Sequence, residues 1–393
     1  MGILYISYDG MLEPLGQSQV LAYLKQLVAD RSIHLISFEK ADDWRDLSAR
    51  ESLRREIAET GIVWHPLIYH KRPSAIATAW DILCGISLGL WLVLRHRLNI
   101  LHARSYVPSV MALAIKRITG IKYLFDMRGF WVDERVDGNL WSPSGSMYRV
   151  AKGFEQRFLL TADHVVSLTN AAVTELQRFP YLQGRMPSIS VISTCANLRH
   201  FQPSGDAPKE LVLGYVGTVG TWYLFDETVA VFYELLLIRP DARILIVNRN
   251  EHDFICARLE AGGVPLEAVE LCSTDHADMP QQMARMTASV FFIKPAYSKQ
   301  ASAPTKLGEL LGCGIPCLSN AGVGDMADII EGERVGVALK SFDQVALATG
   351  LNALLLLAAD PSTRMRCVAA AEKHFSLDEG VSRYRSIYER LGG

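Results

Sequence analysis

The stretch VFFIKPAYSKQASAPTKLGELLGCGIPCLSNAGVGD, Val290 to Asp325, reads as a buried strand joined to a helix by a loop suited to holding an anion. The apolar run Ser289 to Ile293 has strand composition and ends in Lys294 and Pro295, after which small polar residues lead to Pro304-Thr305-Lys306. This order predicts a helix start with Thr305 as its N-cap. The unpaired N–H groups of the first turn, the positive end of the helix dipole and Lys306 all favour a phosphate at that point. Glu309 lies one turn further in, badly placed for a phosphate but well placed to accept hydrogen bonds from the two hydroxyls of a ribose. Gly312, Gly314 and Pro316 stop the helix, and Cys317 to Ser319 reads as the next buried strand. An ordinary α/β crossover with a capping threonine and a solvated glutamate would use the same residues, so the other loops must decide.

Outward from this unit, short apolar strands alternate with longer amphipathic stretches throughout the chain, the pattern of open parallel sheets covered by helices. The first series of strands falls near Ile3 to Ser7, His34 to Phe38, Val63 to Leu67, Ile100 to Ala103, Tyr123 to Met127, His164 to Leu168 and Ile189 to Ile192. A second series falls near Val212 to Val216, Arg243 to Val247, Val269 to Cys272, Ser289 to Ile293 and Cys317 to Ser319. FQPSGDAPK, Phe201 to Lys209, is rich in Pro, Gly and polar residues and marks the boundary between two domains, 1–203 and 204–376. The amphipathic segment Leu377 to Leu391, within 377–393, is expected to pack back toward the first domain. No internal repeat or low-complexity segment interrupts this order.

With 393 residues, 49% hydrophobic and 21% charged, the chain has the composition of a globular protein of two domains rather than a disordered one. Its seven cysteines show no C-x-x-C and no paired spacing, so they read as reduced, buried residues of a cytoplasmic protein. Met1-Gly2 runs directly into the first expected strand, so no signal peptide is expected. Ser74 to Leu94 is apolar for about a spanning length, but a spanning helix would bury Asp81 at a cost of roughly 2.5–3.5 kcal/mol. A domain helix is expected instead, with basic ends near a membrane surface. Residues 1–205 carry 23 Lys+Arg against 18 Asp+Glu, and the remainder 17 against 24, so the first half is the basic half. Such a balance suits an anionic lipid or a lipid-diphosphate acceptor as well as an ordinary solvated surface.

Several chemistries lack their residues. The loop after the first strand, Tyr8-Asp9-Gly10-Met11-Leu12-Glu13-Pro14-Leu15-Gly16-Gln17-Ser18-Gln19, is not G-x-G-x-x-G, which argues against a dinucleotide-dependent oxidoreductase. Gly16 and Ser18 can nevertheless bring backbone N–H groups to an anion or a sugar hydroxyl before a helix expected from about Val20. There is no G-x-x-x-x-G-K-[ST], no H-x-x-x-H, no Cys/His cluster and no Asp-x-Asp, so neither a P-loop nor a metal site is expected. In the second series, Gly217-Thr218-Val219-Gly220-Thr221-Trp222 follows a strand, and Asn248-Arg249-Asn250 follows the next. Ligands collect at the carboxyl ends of strands in open α/β sheets, so Gly217, Thr218, Gly220, Arg249, Lys294, Ser302, Thr305, Lys306 and Glu309 are expected to converge on one crevice.

These features bring the chain close to a known family. FDMRGFWVDERVDGNLW at Phe125 to Trp141, ADHVVSLT at Ala162 to Thr169, ISVISTCANLRHF at Ile189 to Phe201, LGYVGTVGTWY at Leu213 to Tyr223 and SAPTKLGELLGCGIP at Ser302 to Pro316 together resemble a bacterial glycosyltransferase of the GT-B fold, family 4, over essentially the whole chain. The resemblance implies two Rossmann-like doubly wound domains facing a central crevice, with a C-terminal helix crossing back to the first domain. It implies a nucleotide-sugar donor in the C-terminal domain, most commonly carried by UDP, and a glycan or lipid-linked acceptor approaching the N-terminal domain. Retention of anomeric configuration without a divalent metal, a role in polysaccharide biosynthesis and a place at the inner face of the cell membrane are implied in the same way.

Residue by residue, Glu309 matches the second glutamate of the family's E-x7-E signature, which binds the nucleotide ribose. Ala301 occupies the position of the first, so contacts to the transferred sugar would pass to Ser302, Thr305 or the backbone. The basic pair that often contacts the diphosphate is absent from GTVGTWY, and Lys306, Lys294 and Arg249 are its expected substitutes. Asp126 stands where many members carry a histidine near the reacting sugar, with Arg128 two residues on; a salt-bridged strand-end Asp is the competing reading. Asp126, Arg128 and Lys306 are thus the expected catalytic residues, with Asp126 or His102 orienting the acceptor. A GT-B sugar-nucleotide epimerase and a non-catalytic nucleotide-sugar-binding subunit remain alternatives on the same residues.

Overall fold

The structure, a computed structural model, describes residues 2–205, 208 and 210–392. Contacts divide it into two compact units, Met1–Ser193 with Leu377–Gly393, and Thr194–Ser376.

In the first unit, seven parallel strands form one sheet in the order β3-β2-β1-β4-β5-β6-β7. They are β1 (Gly2–Ser7), β2 (Ser32–Lys40), β3 (Val63–Tyr69), β4 (Ile100–Arg104), β5 (Lys122–Asp126), β6 (His164–Ser167) and β7 (Ile189–Val191). The central strands β1, β4 and β5 are almost wholly buried, which is why they read as near-continuous apolar runs and not as alternating ones. The chain winds outward from β1 to β3, crosses back through the Ser74–His96 helix, and continues from β4 to β7. The order reverses between β1 and β4, so the loops leaving those strands flank the crevice at their carboxyl ends.

The Ser74–His96 helix is long and apolar enough to cross a membrane by composition. Its one acidic residue is built into the fold: buried Asp81 accepts from the Tyr8 hydroxyl at 2.8 Å, the His70 backbone N–H at 3.1 Å and His70 Nδ1 at 2.6 Å.

The second unit repeats the plan with six parallel strands in the order β10-β9-β8-β11-β12-β13. These are β8 (Val212–Val216), β9 (Arg243–Val247), β10 (Val269–Cys272), β11 (Ala288–Val290), β12 (Cys317–Asn320) and β13 (Gly336–Leu339). Tyr215, Phe201, Phe232, Phe291, Phe292 and Phe375 are the largest fully buried side chains of its core. The reversal of order falls between β8 and β11, where the Gly217 loop and the Phe291–Pro304 segment emerge.

Several expectations shift. The sixth strand of this sheet, β13, is four residues long and was not anticipated. The strand expected to reach Ile293 ends its ladder at Val290, because Ile293 turns to bridge Tyr223 instead. The units divide between Ser193 and Thr194, ten residues before the expected boundary at 203. The reason is local: the Ala196 N–H donates to the Phe375 carbonyl at 2.8 Å, and Phe201 is buried in the second core. Asp206, Ala207 and Lys209 of the expected linker lie outside the described residues. The last helix, Leu377–Gly392, belongs to the first unit, packing on the Ala22–Leu27 helix and β4.

Candidate functional site

At the reversal point of the second sheet, Gly217 leaves β8 with φ +106°, a conformation open to glycine and strained for other residues. Its N–H donates to the Val247 carbonyl at 2.9 Å, and its own carbonyl accepts from Asn248 Nδ2 at 3.0 Å. Asn248 Nδ2 also reaches Glu251 Oε2 at 2.9 Å, and that oxygen accepts the Val219 N–H at 3.0 Å. Two side chains after β9 therefore hold the loop after β8 in place. The sequence reading singled out Asn248-Arg249-Asn250 but passed over Glu251; a glutamate three residues after a strand-end asparagine was the available signal. Thr218 and Gly220 are exposed on the loop, and the Thr218 carbonyl accepts from the Tyr215 hydroxyl at 2.6 Å.

Beneath the loop sits Lys306. Its Nζ donates to the Val216 carbonyl at 2.7 Å and lies 3.9 Å from the centre of the Tyr223 ring, with the Tyr215 and Phe291 rings at 5.2 and 5.3 Å. A Cβ on Gly217 would stand 3.0 Å from that Nζ. The residue as a whole keeps some exposure, but its ammonium end is enclosed, and that end sets its proton affinity. Burial pulls the Lys306 pKa down to about 7, against a smaller opposing pull from Glu309.

Lys306 belongs to the Thr305–Gly312 helix, whose N-cap is Pro304 and not Thr305 as expected. Pro304, with φ −67° and ψ 120°, already supplies the extended residue that precedes the first helical turn, so Thr305 becomes the first helical residue and makes no side-chain capping bond. The Ser302 N–H donates to the Lys299 carbonyl at 3.1 Å, closing the short Tyr297–Ala301 turn. Ala301, where the resemblance implied a glutamate in other transferases, is buried at the end of that turn. Lys299, which the sequence reading missed, is also buried, with its Nζ 3.7 Å from the centre of the Trp222 ring.

Glu309, one turn beyond, is mostly buried and lies 3.8 Å from His276 Nε2. That contact pulls the His276 pKa above its ordinary value. His276 stacks on His200 with ring centres 5.5 Å apart, so two histidines not singled out in the sequence stand beside the expected ribose carboxylate. Arg249 and Lys294 are exposed, and Arg249 NH2 is 3.5 Å from Asp275. Gly217, Lys306 and the segment from Ser302 to Glu309 are thus directly linked, and the Lys294 N–H donates to the Trp222 carbonyl at the end of the Gly217 loop at 2.8 Å.

In the first unit, Asp126 ends β5, buried. Its carboxylate lies 3.5 Å from His102 Nε2, 4.0 Å from Arg104 NH1 and 4.0 Å from Arg128 NH1, and accepts from the Tyr384 hydroxyl at 3.1 Å. Burial opposes its charge, but Arg128, His102 and Arg104 outweigh that and hold the carboxyl below its ordinary range. Burial likewise lowers the His102 pKa despite the neighbouring carboxylate, and His102 Nδ1 pairs with the Tyr388 hydroxyl at 2.7 Å. Arg128 adopts φ +58°.

Gly16 belongs to neither cluster. The helix expected from Val20 begins at Pro14, and Gly16 is buried in it, where a Cβ would lie 2.0 Å from the Gly10 carbonyl oxygen. Close packing is what demands glycine there. Among the described residues, no group of three or more His, Cys, Asp or Glu could hold a metal ion.

No family model matches the sequence, and no curated protein is similar to it. Solved structures do resemble the fold. Sucrose-phosphate synthase from Thermosynechococcus elongatus superposes with a TM-score of 0.74 at 14% identity, covering 100% of this chain and 99% of its own. A glycosyltransferase from Rickettsia africae gives 0.72 at 14% identity, covering 99% and 98%. Anabaena HepE, solved in complex with UDP-glucose, gives 0.67 at 15% identity, covering 99% and 100%. The chain has the fold of these GT-B glycosyltransferases: two α/β units, each on a parallel sheet, as the sequence implied.

Proposed function

We propose that this chain is a glycosyltransferase that moves a sugar from a nucleoside diphosphate donor, carried by UDP, to an acceptor hydroxyl on a glycan or lipid-linked molecule. The observation that carries this reading is Lys306, held under the Gly217 loop at the reversal point of the second sheet, on the same helix as Glu309. The transferase structures sharing this fold support it, since HepE has been solved with UDP-glucose and pneumococcal GtfA with UDP and GlcNAc.

The chemistry assigns each group a task. The bond from the anomeric carbon to the diphosphate oxygen breaks, and the oxygen keeps the electron pair. Fixed donors must meet that charge as it develops. Lys306 and the N–H groups at the start of the Thr305 helix supply them, and the charge in turn favours the protonated lysine. Ser302 and Thr305 offer hydroxyls to the sugar where Ala301 offers no carboxylate. Glu309 exchanges its contact with His276 for the two ribose hydroxyls. The acceptor oxygen bonds to the anomeric carbon as its proton passes to a diphosphate oxygen of the departing nucleotide, a course that retains configuration and needs no metal. On this reading Asp126 and His102 orient the acceptor from the first unit.

Calorimetric titration with UDP-glucose and other nucleotide sugars, followed by assay of UDP release with and without glycan acceptors, tests the proposal. Binding of a UDP-sugar with acceptor-dependent release supports it. An epimerised donor without acceptor points to an isomerase, and binding with no turnover on any acceptor to a non-catalytic subunit.

A further inference from the structure

The Ser74–His96 helix turns its large residues the wrong way for a helix in water. Ala77, Asp81, Gly85 and Gly89 repeat every four residues and face inward. Both glycines are tightly packed: a Cβ on Gly85 would lie 2.4 Å from Met111 Sδ, and one on Gly89 2.6 Å from Ile115 Cδ1. Small residues let the helix press against the Tyr106–Thr119 helix and the sheet. On the opposite side Ile76, Trp80, Leu83, Trp91 and Leu94 recur at helical spacing, each between 55% and 71% exposed. They form one outward stripe, interrupted only by exposed Ser87. The two tryptophans stand about 16 Å apart along the axis, at a rise of ~1.5 Å per residue.

Charge surrounds this stripe with a single sign. Residues 61–125 carry eight Lys+Arg and one acidic residue, Asp81, buried on the inward face. Arg104 is buried and Lys116 and Lys122 pair with Asp163, which leaves Lys71, Arg72, Arg95, Arg97 and Arg117 as the exposed cations outside that pairing. Lys71 and Arg72 are exposed before the helix, and Arg95, His96 and Arg97 at its end. Both helices run back from their strands, so their C-termini share one edge of the sheet, and the neighbour adds exposed Arg117 and Ile118 there.

We propose that this face docks on an anionic lipid bilayer, the helix lying in the plane of the interface with the stripe immersed and the basic ends among the headgroups. An apolar stripe bearing tryptophans, with cations at its borders, matches the layered chemistry of a membrane surface. A spanning pose would strip Asp81 from Tyr8 and His70 and the glycine face from its neighbour, whereas the flat pose leaves both intact. A second copy fits less well: both ends of the helix are basic, so parallel and antiparallel pairing alike bring like charges together. The inference goes beyond the transferase reading and does not depend on it, since vesicle binding needs no nucleotide.

The test is flotation of the full chain with phosphatidylcholine vesicles, with or without phosphatidylglycerol. Binding is expected to anionic vesicles, weakening as salt rises. Trp80→Ser/Trp91→Ser should lower partitioning at least tenfold, and Arg95→Gln/Arg117→Gln by about fivefold per charge removed. All four residues are exposed, and circular dichroism checks that the variants stay folded. Absence of wild-type binding, or equal binding by both variants, overturns the proposal. A reversible dimer in sedimentation velocity, abolished by the tryptophan variant without any vesicle binding, would assign the stripe to a second copy.

Discussion

The Tyr384 hydroxyl, on the last helix, donates to the Asp126 carboxylate at the end of β5, 258 residues earlier, at 3.1 Å. The same helix places Tyr388 on His102. The C-terminal helix thus completes the polar cluster at the carboxyl edge of the first sheet, supplying hydroxyls to groups that are otherwise surrounded by cations and rings.

Tyr384→Phe removes a hydrogen bond to a buried charge and should cost about 1.5–3 kcal/mol of stability. Asp126→Ala removes the carboxylate that faces Arg128, Arg104 and His102, of which Arg104 keeps Asp9 at 3.4 Å, and should cost roughly 3–5 kcal/mol. Urea unfolding of the two variants checks both. If Asp126→Ala matched the wild type, the carboxylate would not be the anchor of the cluster. Donor affinity should stay unchanged in Tyr384→Phe, because Tyr384 and the proposed nucleotide site belong to different units.

Lys306→Ala and Glu309→Ala should each weaken UDP-glucose binding at least tenfold, the first by removing a charge at the diphosphate and the second by removing two ribose acceptors. Calorimetry on variants with wild-type melting behaviour reads this directly. Unchanged affinity in both would remove the site from this helix.

How much of this was legible in the sequence follows from which interactions are local. Strands such as β8 and β9 were found to the residue because parallel strands buried on both faces leave continuous apolar runs. The Val290 to Asp325 unit was read correctly in order, but not in its cap, since Pro304 and Thr305 both suit a helix start. Length does not explain why β13 was passed over, since β10 is equally short and was read to the residue. Side chains that meet across the chain left no pattern: Tyr384 with Asp126, His276 with Glu309. Each partner is ordinary by itself, and only the fold brings it to the other. Gly16 misled for a related reason, because a glycine required by the Gly10 carbonyl looks the same as one that frees a backbone N–H for a ligand.

Gly217→Ala tests whether the loop and the lysine act together. The native φ of +106° strains any residue with a Cβ, by about 1–3 kcal/mol, and the added carbon would press on Lys306 Nζ at 3.0 Å. The variant should lose stability and donor affinity together. Gly16→Ala, with its Cβ 2.0 Å from the Gly10 oxygen, should lose stability by ~1–3 kcal/mol while the affinity of the folded fraction is unchanged. Equal affinity losses in both would deny the Gly217 loop a specific place at the donor.

The lysine also sets a pH dependence whose sign follows from its environment. In the ligand-free protein burial holds its pKa at about 7, well below the ordinary 10.5, and a bound diphosphate raises it. The complex therefore holds more protons than the free protein above pH 7, and affinity should fall by up to about tenfold per pH unit between the free value and the higher bound one. His276 acts oppositely. Glu309 raises its pKa, and a ribose that takes over Glu309 removes that pull, so the free protein holds the extra proton and affinity from this source rises with pH. UDP-glucose is the suitable ligand, because free UDP has a terminal phosphate that itself titrates near ~6. Titrations from about pH 6 to 8.5 should show wild-type affinity falling and the weaker affinity of Lys306→Met flat or rising. A wild-type profile as flat as that of the variant would mean that the ammonium of Lys306 does not meet the diphosphate.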